Sequence, residues 1–281
     1  MVSDDVPSFE LTQPASGRLS RLVFASPHSG LRLPSDMMPT ATLSLDSLNS
    51  ACDVAIDRFL AASPDLGVPL VTGRVSRAYV DLNRAPTEID PEMVSDAPAD
   101  LEVGPKTRAG YGVVPRLTGD GQRLYDRALT MAEVRGRLEQ VHAPYHAALA
   151  GLMRQTHAQH GRAILIDWHS MPGRATGISG VDVVLGDRYG SACDPELTRQ
   201  LRALFEGLGW KVALNHPYAG GYSTQVWGRP DQGYEAIQIE LSRRLYWDEA
   251  RGEPAVGWRR CQSGLNRVLK GLIAAYQADA G

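Results

Sequence analysis

Apolar positions in this chain fall into short continuous runs. Polar, turn-forming stretches separate them, and some intervening segments show helical spacing. Residues 21–26, Val68–Thr72, Arg77–Leu82, Arg162–Asp167, Val181–Leu185, Trp210–Leu214 and Glu235–Leu241 read as strands. From Asp46 to Ala62, the apolar residues Leu48, Cys52, Ala55, Ile56 and Phe59 predict a helix that Asp46 can cap, with Asp53 off its stripe. Further helices are predicted over about 121–159, which Pro144 should kink or split, and over 195–208 and 257–277. Residues 86–120, rich in Pro, Gly, Asp and Thr, form a long connection of the kind that often carries function. Alternating strands and helices predict α/β layers. Residues 1–20 read as a polar lead and 21–281 as a single domain, because no linker-like stretch divides them.

Composition narrows the function classes. With 281 residues, 43% of them hydrophobic, the chain can bury a core without disulfide staples. A net charge of −3 gives no reason to expect nucleic acid or an anionic membrane as partner. Cys52, Cys193 and Cys261 are widely spaced and form no Cys-x-x-Cys pair, which fits free thiols in a reducing compartment. The acidic, polar start does not resemble a signal peptide, and no apolar run reaches about 18 residues. The expectation is a soluble, cytoplasmic protein.

Three apolar runs end on chemistry: Arg-Leu-Val-Phe-Ala-Ser-Pro-His28, Ala-Ile-Leu-Ile-Asp167-Trp-His169 and Ala-Ile-Gln-Ile-Glu240. Carboxyl ends of parallel strands point into the ligand crevice of an open α/β sheet. Two imidazoles delivered there point to a metal-assisted hydrolase, and zinc needs a third protein ligand, for which Asp53 is the candidate. Asp167 is placed to orient a histidine. Glu240 is a candidate general base; its plainer alternative is an ion pair with Arg243 or Arg244. In Ser-Arg77-Ala-Tyr-Val-Asp81-Leu-Asn83-Arg84, the Arg84 fork with Asn83 suits a substrate carboxylate and Arg77 an oxyanion. The plain alternative is a surface strand end with internal salt bridges. His142 and His146 are four apart, but Pro144 between them weakens a helical pair. His157, His160 and His216 read as structural. His-Glu-x-x-His, Gly-x-Ser-x-Gly, Gly-x-Gly-x-x-Gly and the Walker loop do not occur.

The order Ser-Pro-His28-Ser-Gly, Asp53 with Asp57, Asp81-Leu-Asn83-Arg84, Asp167-x-His169-Ser, Asn215-x-Pro-Tyr-Ala-Gly-Gly and Gln238-Ile-Glu240-Leu resembles the N-formylglutamate amidohydrolase family. The resemblance covers about residues 21–250. It implies a zinc carboxypeptidase-like α/β fold, with a mixed, mostly parallel sheet flanked by helices. It also implies zinc-dependent hydrolysis of an N-acyl amino acid: N-formyl-L-glutamate to formate and L-glutamate, in histidine breakdown. By this resemblance His28, Asp53 and His169 are metal ligands, Glu240 the catalytic carboxylate, Asn83 and Arg84 the carboxylate clamp, and Arg77 the oxyanion donor. The wider superfamily draws two ligands from His-x-x-Glu, whereas position 31 here is Leu31, so Asp36 and Asp57 remain alternatives to Asp53. Two rival readings share the fold. One is a deacylase or carboxypeptidase-like hydrolase for another N-acyl amino acid; the other is a non-catalytic carboxylate-binding protein.

Overall fold

The apolar runs that end on His28, His169 and Glu240 become neighbouring strands. The computed structural model describes residues 7–15, 20–101 and 103–276. The strands of its main sheet are β1 (Phe9–Thr12), β2 (Leu22–Ser26), β3 (Leu70–Gly73), β4 (Ala163–Met171), β5 (Val183–Gly186), β6 (Val212–Leu214) and β7 (Tyr234–Ser242). They form one sheet in the order β1-β3-β2-β4-β7-β5-β6. β2 and β7 flank β4 in parallel, β6 is parallel to β5, and β5 runs antiparallel to β7. The sheet is therefore mixed and mostly parallel, as the α/β reading requires. Every residue of β2 and β4 is buried, which is why those strands read as continuous apolar runs rather than as alternation. The helices are α1 (Leu45–Asn49), α2 (Ile56–Leu60), α3 (Pro105–Arg108), α4 (Met131–Arg137), α5 (Ala143–His160), α6 (Pro195–Glu206), α7 (Tyr222–Trp227) and α8 (Trp258–Tyr276).

The chain groups into two compact units that alternate along the sequence. One comprises residues 11–26, 55–71 and 149–281. It holds the sheet centre, with α8 packed on α6 and α2. Cys261, Leu265, Val268, Leu269, Leu272 and Ile273 supply the buried face of α8 at helical spacing. Phe59 meets Tyr246 edge-on at 5.1 Å and Trp258 at 4.8 Å between ring centroids, which fixes α2 against α8. The other unit comprises residues 1–10, 27–54 and 72–148 and is mostly irregular. Two glycines allow close backbone approach there. A Cβ on Gly30 would lie 2.3 Å from the carbonyl carbon of Arg74, and one on Gly73 2.1 Å from the Pro27 oxygen.

Several predicted elements are corrected. The helix expected from Asp46 to Ala62 is two short ones, and its N-cap is Ser44, which accepts from Ser47 N. Ala55 takes a left-handed φ of 66° at the start of α2. The break lets Asp53 N donate to His28 O at 2.8 Å. Arg77–Leu82 is not a strand. Its Asp81 carboxylate accepts from Asn83 N at 2.8 Å, an Asx turn that curls the chain. Residues 121–130 are not helical; α4 starts after the capping box of Thr130 and Glu133. Pro144 does not split the helix, because a π turn at Leu138–His142 precedes it, closed by Ala143 N donating to Leu138 O. Residues 1–20 contain β1, whose alternating Phe-Glu-Leu-Thr sequence gives no continuous apolar run.

Candidate metal and catalytic site

β4 persists as a strand through Met171, so Asp167 and His169 lie on one face. Its partner β7 carries Gln238 opposite Asp167 and Glu240 opposite His169. Paired residues of parallel strands share a face, so these four polar side chains form a block on one face of the sheet. Asp167 is wholly buried, and its Oδ2 lies 3.1 Å from His169 Nε2. Neither carboxylate oxygen of Asp167 has a hydrogen-bond partner among the described residues. A buried carboxylate so placed calls for a nearby cation.

Glu240 is held through Gln238. Gly186, opposite Gln238 on β5, has no side chain, and the backbone of Tyr218–Gly220 packs over it. That brings Gly221 N within 2.8 Å of Gln238 Oε1. A backbone N–H only donates, which fixes the amide orientation and leaves Gln238 Nε2 donating to Glu240 Oε1 at 2.7 Å. Arg243 instead donates to Ser170 and pairs with Glu249, and Arg244 pairs with Asp182.

In the other unit, His28 follows β2 directly and is 1% exposed. Its Nδ1 is 3.4 Å from Asp53 Oδ2, and its Nε2 is 2.7 Å from Asp81 Oδ1. Asp81 is a hub. Arg77 reaches its Oδ2 with both Nε and Nη2 at 2.9 Å, and Arg84 Nε approaches to 3.7 Å. Burial pushes the Asp81 carboxyl upward, but Arg77, His28 and Arg84 outweigh it and hold it well below the usual carboxylate range. An ionised Asp81 accepting from His28 Nε2 leaves Nδ1 as the nitrogen that could face a metal ion, the pattern by which a carboxylate orients a ligating histidine.

His28, Asp53 and His169 each present one ligand atom, and the three atoms lie within 4.8 Å of one another. The chemistry fits a divalent ion. Two imidazoles and a carboxylate form a zinc donor set, and two donors about 2.1 Å from a tetrahedral ion stand about 3.4 Å apart, the His28–Asp53 spacing. Asp36 instead accepts from Tyr79 Oη and Asp57 from Arg58 N. Asp81 as a hub, and Gln238 as the hold on Glu240, went unassigned at the sequence level. The signals were the four-residue step from Arg77 to Asp81 and the two-residue step from Gln238 to Glu240.

The model of the N-formylglutamate amidohydrolase family matches residues 20–247. The chain belongs to that family. N-formylglutamate deformylase of Pseudomonas putida is 31% identical over 268 residues, spanning 93% of this chain and 94% of that protein. The Pseudomonas aeruginosa deformylase is 31% identical over 252 residues, spanning 88% and 87%. The crystal structure of N-formylglutamate amidohydrolase from Ralstonia eutropha JMP134 superposes with a TM-score of 0.89 at 32% identity, over 96% of this chain and 99% of that one. A gene product of Agrobacterium tumefaciens shares the fold, with a TM-score of 0.64 at 18% identity over 96% and 94%. No helix among the described residues of this family member is long and apolar enough to cross a membrane.

Proposed function

We propose that this chain is a zinc-dependent amidohydrolase that hydrolyses N-formyl-L-glutamate to formate and L-glutamate. The observation that carries the reading is the convergence of His28, Asp53 and His169, all buried, in a member of this family. These three residues would hold the ion, which when bound supplies Lewis-acid polarisation of the formyl carbonyl and a more acidic water. Glu240 takes the proton of the attacking water as the C–O bond forms at the formyl carbon, and returns it to the nitrogen as the tetrahedral species collapses and the C–N bond breaks. Gln238 fixes the Glu240 carboxylate for that transfer. Arg84, with Asn83 beside it, binds the amino acid carboxylate and positions the amide. Arg77 stabilises the oxyanion; the Asp81 contact uses two of the five N–H donors of its guanidinium.

The test is metal content with product release. Protein purified without added metal should contain about one zinc per chain and release formate from N-formylglutamate. N-acetylglutamate should be a far poorer substrate. Chelation should abolish formate release and zinc restore it. A metal-free protein at full activity ends the metal assignment, and preference for the acetyl substrate ends the substrate assignment.

A further inference from the structure

The segment carrying Asn83 and Arg84 is not held by the sheet, and its backbone needs other partners. Three side chains from one helical run supply them, all within residues 72–148. Arg137, 2% exposed, donates from Nη1 to Tyr79 O at 3.1 Å and to Tyr125 Oη at 2.6 Å. Its guanidinium lies 4.2 Å from the Tyr79 ring centroid. His142 Nε2 is 2.9 Å from Arg84 O, and His146 Nε2 is 2.8 Å from Leu82 O. Carbonyls only accept, so both imidazoles donate from Nε2. The rings stand 4.3 Å apart between centroids. Burial pushes the His142 pKa down, which keeps the ring neutral with its proton on Nε2.

The spacing of these residues is the informative part. Arg137 and His142 are five apart, and His142 and His146 four apart. On a regular α-helix neighbours on one face are three or four apart, so Arg137 would align with Val141 and Tyr145. The π turn Leu138–His142 takes up the extra residue and brings both histidines onto the face of Arg137. Pro144 follows at once, where regular α hydrogen bonding would have needed its missing N–H. Such turns recur at functional sites.

We propose that the π turn sets α4 and α5 as a clamp in which Arg137, His142 and His146 fix the carbonyls of Tyr79, Arg84 and Leu82, and so position Asn83 and Arg84 for the substrate carboxylate. The proposal rests on the assignment of Arg84 to that carboxylate. His142 and His146 are positioning residues and touch no reacting atom.

The experiment uses His142→Ala, His146→Ala and their His→Gln counterparts, each also made in an Arg84→Ala background. KM, kcat and metal content are read with N-formylglutamate. The alanine variants should raise KM about tenfold, the weight of one buried hydrogen bond, with kcat and metal content little changed. Glutamine, which restores an N–H donor near the Nε2 position, should recover most of the loss. The histidine effects should shrink in the Arg84→Ala background, leaving only the part that acts through Asn83. An unchanged KM in both alanine variants overturns the clamp, as does an equal rise with and without Arg84. If an alanine variant fails to fold, a glutamine variant with a KM near that of the parent supports the clamp, and a tenfold rise overturns it. An Arg84→Ala variant with unchanged KM removes the carboxylate assignment and the clamp with it. A raised KM there with silent histidines removes the clamp alone.

Discussion

Asp81 accepts from a histidine, an arginine and a backbone amide at once. Replacing it with asparagine keeps the shape and removes the charge. Asp81→Asn should weaken metal affinity by about 10- to 100-fold, the usual cost of losing the partner of a ligating histidine. It should also raise KM, because Arg77 and Arg84 lose their common anchor. Metal titration beside steady-state kinetics checks both, and an effect on one alone would show that the hub does not join the two halves. Glu240 makes a sharper case. Glu240→Gln should retain metal and lose at least about 100-fold in turnover, read as formate release from metal-loaded protein. Little of Asp81 was legible beforehand. Its partners include Val113, some thirty residues on, and the turn it builds comes from its own side chain, which an apolar pattern does not record.

Among the elements, β4 and β7 were legible because near-complete burial leaves a strong apolar signal, although the strand read over Arg162–Asp167 stops four residues short of Met171, where polar side chains interrupt the run. The break between α1 and α2 was not, since the apolar stripe runs through it and the left-handed Ala55 carries no sequence mark. The start of α4 was missed for a different reason: Thr130 and Glu133 spell a capping box, but the helical pattern was traced from further upstream. That box yields a pH prediction. The hydrogen bond from Arg127, aided by those from Thr130, holds the Glu133 carboxyl down at about 2 against an ordinary 4.5. A depressed carboxylate stabilises fully above its unfolded value and loses that contribution as pH falls toward its folded value. Glu133→Gln should therefore lower the denaturation midpoint at pH 7. The gap from the parent should close as pH falls from about 4.5 toward about 2. A gap independent of pH would assign the loss to packing.

At the level of the molecule, the proposed ligands His28, Asp53 and His169 sit on an irregular segment after β2, in a helix break, and on a central strand. An ion bound only by the folded chain adds stability by mass action, about 2.7 kcal/mol at a hundredfold excess over Kd. Thermal unfolding with chelator should begin several degrees lower, with recovery on adding zinc. A midpoint indifferent to metal would count against a shared ion. The family assignment was legible because its six short motifs run in order along most of the chain, although each alone is ordinary.

Gly30 and Gly73 show where the chain has least room to change. At each, an added methyl group would collide with main-chain atoms, which have no rotamer to retreat into. Most codon changes there therefore translate into displaced backbone next to His28, whatever the chemistry of the incoming residue. In a saturation screen for activity these two positions should tolerate as few substitutions as the histidine itself. The narrowest sequence constraint near the site thus falls partly on residues that carry no functional group.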